Sequence, residues 1–121
     1  MLAYAAREFA LMERLEDGST QRDHIEVHFR NDGVYPEGWE PVPMPASLEY
    51  LWRHWLRMNR RRPSSGMGVS PIPDEGVLAY GARYGISFAP IENEILDAVE
   101  GLYIKTSNER AAADAKRRRK S

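Results

Sequence analysis

The sequence predicts an all-α fold: three to four short helices packed around a Trp/Leu/Ile core, with an extended Pro-rich connector and a disordered basic C-terminal tail. Three observations predict it. Apolar residues recur at helical spacing in several separate segments. Prolines stand at the starts of these segments and glycines at their ends, the positions where helices accommodate each. From Thr106 onward no large apolar residue remains, so that stretch has nothing to bury. The expected division is residues 1–45 (a first helix and the connector), 46–104 (a compact helical domain) and 105–121 (a mobile basic tail).

Residues 3–16 read as the first helix, because Tyr4, Ala5, Phe9, Leu11, Met12 and Leu15 fall close to one stripe, and Gly18 suits the position just past its end. The next segment is ambiguous. Ile25, Val27 and Phe29 alternate with His24, Glu26, His28 and Arg30 as in a strand, yet no pairing partner is in sight, and a short helix is equally compatible. Residues 31–45 form the connector: Asn31-Asp32-Gly33 reads as a turn, and Pro36, Pro41, Pro43 and Pro45 forbid a continuous helix. Trp39 within it is expected to pin the connector to the domain.

Residues 45–60 carry the strongest helical pattern. Pro45 suits a first-turn position and Ser47 a local cap. Leu48, Leu51, Trp52, Trp55 and Leu56 mark one buried face, with Arg53, Arg57 and Arg60 opposite. At roughly 1.5–3 kcal/mol per large side chain fully buried, that face dominates the expected stability. After a Ser/Gly loop at 63–70, Ile72-Pro73-Asp74-Glu75 marks a helix start, with Pro early, acids in the first turn and Ile72 available as a staple. This third helix ends at Gly85, and Gly76 and Gly81 inside it suggest close approach of a neighbour. Pro90 opens the last helix, whose stripe is Ile91, Ile95, Leu96, Val99, Leu102 and Tyr103.

Composition narrows the function classes. A chain of 121 residues is expected to hold one domain with tails. Its apolar runs are far too short to cross a bilayer. Residues 1–14 lack a basic start followed by an apolar run, so no secretory signal is expected. The absence of cysteine removes disulfides, thiolate metal sites and cysteine nucleophiles, and fits a cytoplasmic protein. The net charge of −1 conceals segregation: ten acids against four arginines in 1–52, five arginines and no acid in 53–62, six acids against one arginine in 63–104, and seven bases against two acids in 105–121. Such blocks can steer a charged partner or pair within one assembly, which leaves self-association open.

No constellation of residues suits catalysis. His24 and His28 share a helical face but lack a third metal ligand, and read as surface histidines. His54 has no Ser or Asp at a motif spacing and reads as a polar edge residue. Glu92, Glu94, Asp97 and Glu100 form an acidic side that is expected to stay solvated, or to meet a basic partner or Arg53, Arg57 and Arg60. Ser65-Gly66-Met67-Gly68 lacks the strand and the Lys-Ser/Thr of a phosphate loop. No catalytic residue, metal or cofactor is therefore expected. Arg60-Arg61-Arg62 and residues 116–120 could attract nucleic acid through counterion release, but the acidic blocks and a sequence pI of about 6.3 weigh against it.

Residues 48–103 resemble the C-terminal helical domain of the small tail assembly chaperones of long, non-contractile-tailed bacteriophages. The resemblance rests on the Leu51-Trp52-Arg53-His54-Trp55-Leu56 helix, the basic Gly/Ser loop at 60–70, the Pro71-Ile72-Pro73-Asp74-Glu75 start, residues 80–85, and Glu92, Glu94 and the Leu96-Asp97-Ala98-Val99-Glu100-Gly101-Leu102-Tyr103 close. It implies a non-enzymatic protein of the host cell cytoplasm that coats the phage tail tape measure protein and recruits tail tube protein. The expected partner-binding surface is the edge of Trp52 and Trp55 with Arg53, Arg57, Arg60, Arg61 and Arg62, although by spacing alone both tryptophans belong to the core. The alternative is a small nucleic-acid-binding or regulatory phage protein that acts through the basic clusters.

Overall fold

The structure, a computed structural model, describes residues 1–12, 19–63 and 68–120. Their regular structure is helical: α1 (Leu2–Leu11), α2 (Gln21–Asp32), a 3-10 turn (Ala46–Leu48), α3 (Glu49–Arg60), α4 (Asp74–Tyr84) and α5 (Pro90–Lys120). The chain forms two compact units, Met1–Pro45 and Ala46–Ser121.

In the first unit, α1 and α2 pack through Ala5, Phe9, Leu11 and Ile25, and Glu8 takes an ion pair from Arg22. Helix, not strand, is the outcome at residues 21–32, and local chemistry explains it. Thr20 and Asp23 form a reciprocal capping box, and Gly33 closes the helix in the left-handed region at φ 76°. Of the alternating trio only Ile25 is buried, while Val27 and Phe29 stay 48% and 41% exposed, so the period of two was not a buried face. The turn expected at 31–33 is the end of this helix. Residues 33–45 contain no helix or strand. Trp39 is half-buried, and its carbonyl, not its indole, accepts the hydrogen bond from Arg7 at 3.2 Å. α1 ends at Leu11, short of the expected boundary, and Gly18 lies outside the described residues.

In the second unit α3 is central. Leu51, Trp52, Trp55 and Met58 are buried on it, facing Tyr80 and Gly81 of α4 and Leu96 and Val99 of α5. Ser47 does not cap: it lies in the 3-10 turn, and Leu48 holds the N-cap position without a side-chain bond. Gly81 fulfils the expectation of close approach. A Cβ there would lie 2.5 Å from the carbonyl oxygen of Ile86, whose N–H in turn bonds the Gly81 carbonyl at 2.8 Å. Gly85, at φ 67°, ends α4. The Ala89 N–H donates to Glu92 at 2.7 Å and starts α5 by half of a capping box.

The C-terminal segment departs from expectation. Residues 105–120 are not a separate irregular tail but the continuation of α5. Ala111, Ala112, Ala113, Ala115 and the flanking arginines are strong helix formers, Asp114 pairs with Arg117 one turn on, and a folded helix upstream spares the segment its nucleation cost.

Candidate functional site

The second unit presents two surfaces that could receive a partner. The first is built on the polar side of α3. Arg53, Arg57, Arg60 and Arg61 are all exposed there. Tyr84, at the end of α4, is 38% exposed and is ringed by cations: Arg57, Arg61 and Arg83 lie 6.0, 5.5 and 5.5 Å from its ring centre. Arg61 also donates to the Tyr84 hydroxyl at 2.6 Å and lies 5.8 Å from the ring of Tyr80. The electron-rich ring faces partly compensate three guanidiniums held together, and they fix their orientation. Arg53 is drawn aside by Glu49 at 2.7 Å, an exposed pair worth little on its own.

The second surface is a cleft of about 400 Å³ between α4 and α5. Trp55, Met58 and Leu96 line its inner side, with Val77 and the 73%-exposed Leu78 on α4. Its charged lining is acidic only: Asp74, Asp97 and Glu100. Asp74 and Asp97 are exposed. Glu100 is engaged inward. It receives Arg62 through both terminal guanidinium nitrogens, the Ile72 N–H at 2.8 Å and the Trp55 indole N–H at 3.2 Å. Burial alone would raise the Glu100 pKa, but these donors outweigh it and hold the carboxylate below its ordinary value.

These contacts sort the expected site residues. Trp52 and Trp55 are core, with rings stacked at 5.4 Å and exposures of 7% and 1%, because the helix spacing that marks them also faces them inward. Trp55 contributes only to the lining of the cleft. Arg62 also leaves the basic stripe. It turns in to Glu100, to the Ser70 carbonyl at 2.7 Å and to the Asn59 side chain at 3.0 Å, with its guanidinium 4.8 Å from the Tyr103 ring. The acidic side of α5 is therefore not uniformly solvated, and the cation it meets is Arg62 rather than Arg53, Arg57 or Arg60.

Several groups could not be anticipated. His54 shares a hydrogen bond of 2.7 Å with the Tyr80 hydroxyl and lies edge-on to Phe88. Burial, helped by Arg57 and opposed by Glu92, lowers its pKa. Tyr50 donates to Glu92, which raises the tyrosine and lowers the carboxylate. Among the described residues no cluster of three or more His, Asp or Glu could hold a metal ion. His24 instead meets Ser19 at 2.8 Å, and His28 meets Asp32 at 3.3 Å. None of their helices is long and apolar enough to cross a membrane.

No curated protein and no solved structure matches the chain. A sequence model of the family described as phage tail assembly chaperone matches residues 30–105, more than half of it.

Proposed function

Because this chain belongs to the phage tail assembly chaperone family, we propose that it acts without catalysis in the host cytoplasm, holding tape measure protein, tail tube protein or both during tail morphogenesis, through the arginine–tyrosine face of α3 and α4. The observation that carries this reading is the Tyr84 ring set among Arg57, Arg61 and Arg83. Arginine and tyrosine are the side chains that most often anchor protein interfaces, because they combine large contact area with oriented hydrogen bonding. The exposed cations of α3, Arg53, Arg57 and Arg60, select a partner whose apolar stripe is bordered by acids. An extended, amphipathic tail protein offers such stripes to helix-against-helix docking. The face differs from the surface expected from sequence by losing Trp52, Trp55 and Arg62 to the interior and by gaining Arg83 and Tyr84.

The test is co-expression of the full chain with the tape measure protein and with the tail tube protein of its own genome, each at physiological salt. A soluble stoichiometric complex that Arg57→Glu/Arg61→Glu abolishes, with helical content unchanged, supports the reading. A complex indifferent to that variant removes the face from the interface. If both tail proteins stay insoluble while the chaperone co-purifies with nucleic acid in a steeply salt-dependent way, the basic clusters serve phosphates instead and the reading fails.

A further inference from the structure

α5 outruns the unit it belongs to. Leu96 and Val99 are its buried anchors, and from Lys105 to Arg119 no residue is buried. Residues 105–120 form a helical arm roughly 24 Å long at 1.5 Å per residue. Its charge is lopsided: across 105–121 seven basic residues face two acids, and Lys116, Arg117, Arg118 and Arg119 are consecutive and exposed. The same helix, about four turns earlier, contributes Asp97 and Glu100 to the cleft whose charged lining is acidic only. Lys116 lies roughly 24 Å along the axis from Glu100. A straight helix cannot fold its own end back over that distance, so the arm's basic end is kept away from the acidic cleft of its own molecule.

We propose that the arm of one copy docks in the Asp74/Asp97 cleft of a second copy, so that the protein associates head to tail. The occupant is set by charge complementarity: a cleft whose charged lining is acidic and a run of four consecutive exposed cations sit on the same chain, out of each other's reach. Size agrees. The arm's apolar groups are Ala111, Ala112, Ala113 and Ala115, which allow its backbone close to the lips at Val77 and Leu78. Arm and cleft are different patches, so the contact is heterologous. Repeated, it yields an open row of subunits rather than a closed dimer. Each subunit in the row keeps its α3 arginine face, which the contact does not use. The contact involves no tail protein.

The experiment is sedimentation velocity of nuclease-treated full-length protein over a concentration series at about 0.05 M and about 0.5 M salt, a range over which exposed charge pairs are progressively screened. The expected result is concentration-dependent association at low salt, weakened roughly tenfold or more at high salt. Two reversals each leave a monomer: Lys116→Glu/Arg117→Glu/Arg118→Glu/Arg119→Glu in the arm, and Asp74→Lys/Asp97→Lys in the cleft. An equimolar mixture of the two variants regains association, because each reversed patch now finds its complement on the other chain. Removal of residues 106–121 gives a monomer as a charge-independent check, and circular dichroism confirms that all variants retain their helices. A wild-type monomer at every concentration overturns the proposal. So does association that survives either reversal, or a mixture that stays monomeric.

Discussion

Replacing Arg62 by methionine tests what holds the second unit together beyond its apolar core. Arg62 and Glu100 have side-chain exposures of 8% and 16%, so the pair is largely removed from water. Methionine keeps an apolar stem but withdraws the guanidinium from the Tyr103 ring and two charge-assisted bonds from Glu100, together with those to Ser70 and Asn59. Glu100 would keep the Ile72 and Trp55 N–H groups, so the charge left behind is under-compensated rather than bare. Breaking a fully buried pair costs about 3–5 kcal/mol, and a charged hydrogen bond contributes about 1.5–3 kcal/mol. Partial solvation and the two remaining donors place the expected cost at about 2–3 kcal/mol. In a unit of this size that lowers the melting temperature by roughly 8–24 °C. The assay is thermal unfolding by circular dichroism with a double-mutant cycle, Arg62→Met, Glu100→Met and both together. The double variant should be far less destabilised than the sum of the singles, because neither partner is then left alone. Additive effects, or a loss below about 0.5 kcal/mol for Arg62→Met, would refute the reasoning, since that is the scale of an exposed pair. The pH dependence has a fixed sign. Glu100 is lowered in the folded state, so its contribution is complete above the ordinary glutamate value of 4.5 and is lost as pH falls through the lowered folded value. Arg62→Met should flatten that acid limb.

Other expectations follow from single contacts. Gly81→Ala should cost about 1–3 kcal/mol despite alanine's better helix propensity, because its Cβ meets the Ile86 backbone; Gly101→Ala, with nothing within 4 Å, should instead stabilise by about 0.5–1 kcal/mol, both read by thermal melts. Thr20→Ala removes the capping box of α2 and should cost about 1 kcal/mol, seen as faster amide exchange in residues 21–24. An NMR titration should place His54 below 6.5, and because its folded value is lowered, its contribution to stability is present above 6.5 and fades as pH falls. A His54 midpoint above 6.5 contradicts the half-buried placement beside Arg57.

The helices were legible where an apolar stripe coincided with chemical punctuation. Pro73 and Gly85 bracket α4, Pro90 opens α5, and the spacing of Leu51, Trp52 and Trp55 marks the inner side of α3. Legibility failed where two signals competed. At residues 24–30 an alternating pattern masked the Thr20–Asp23 capping box, a two-residue signal that outweighs period when only Ile25 is buried. At the C-terminus the lack of anything to bury argued for disorder, whereas propensity and continuity with an anchored helix favoured extension of α5. Burial decides whether a helix is held against a core. It does not decide whether a helix already nucleated is propagated.

The partner surface shows why a charge run cannot be sorted from sequence. Arg60, Arg61 and Arg62 are consecutive and chemically identical, yet three destinations divide them: solvent for Arg60, the Tyr80 and Tyr84 rings for Arg61, and Glu100 for Arg62. Arg60 is the last residue of α3, Arg61 caps it outside helical geometry and Arg62 lies beyond it, so the run leaves the helix as it is read and its members point different ways. Which side meets a carboxylate depends on the register of α4 and α5 against α3, a tertiary fact with no local signature. The same logic runs in reverse for the acids of α5. Glu92 is met by Tyr50 and Glu100 by Arg62, while Glu94 and Asp97 stay exposed. Segregated blocks of charge thus resolve into an internal clamp and an external remainder. On the acidic side that remainder is the rim of a cleft, and on the basic side it is a face on α3 and an arm on α5. Net charge near zero is then no sign of a neutral surface: exposed charges of one sign gathered on one face are those available to order its neighbours.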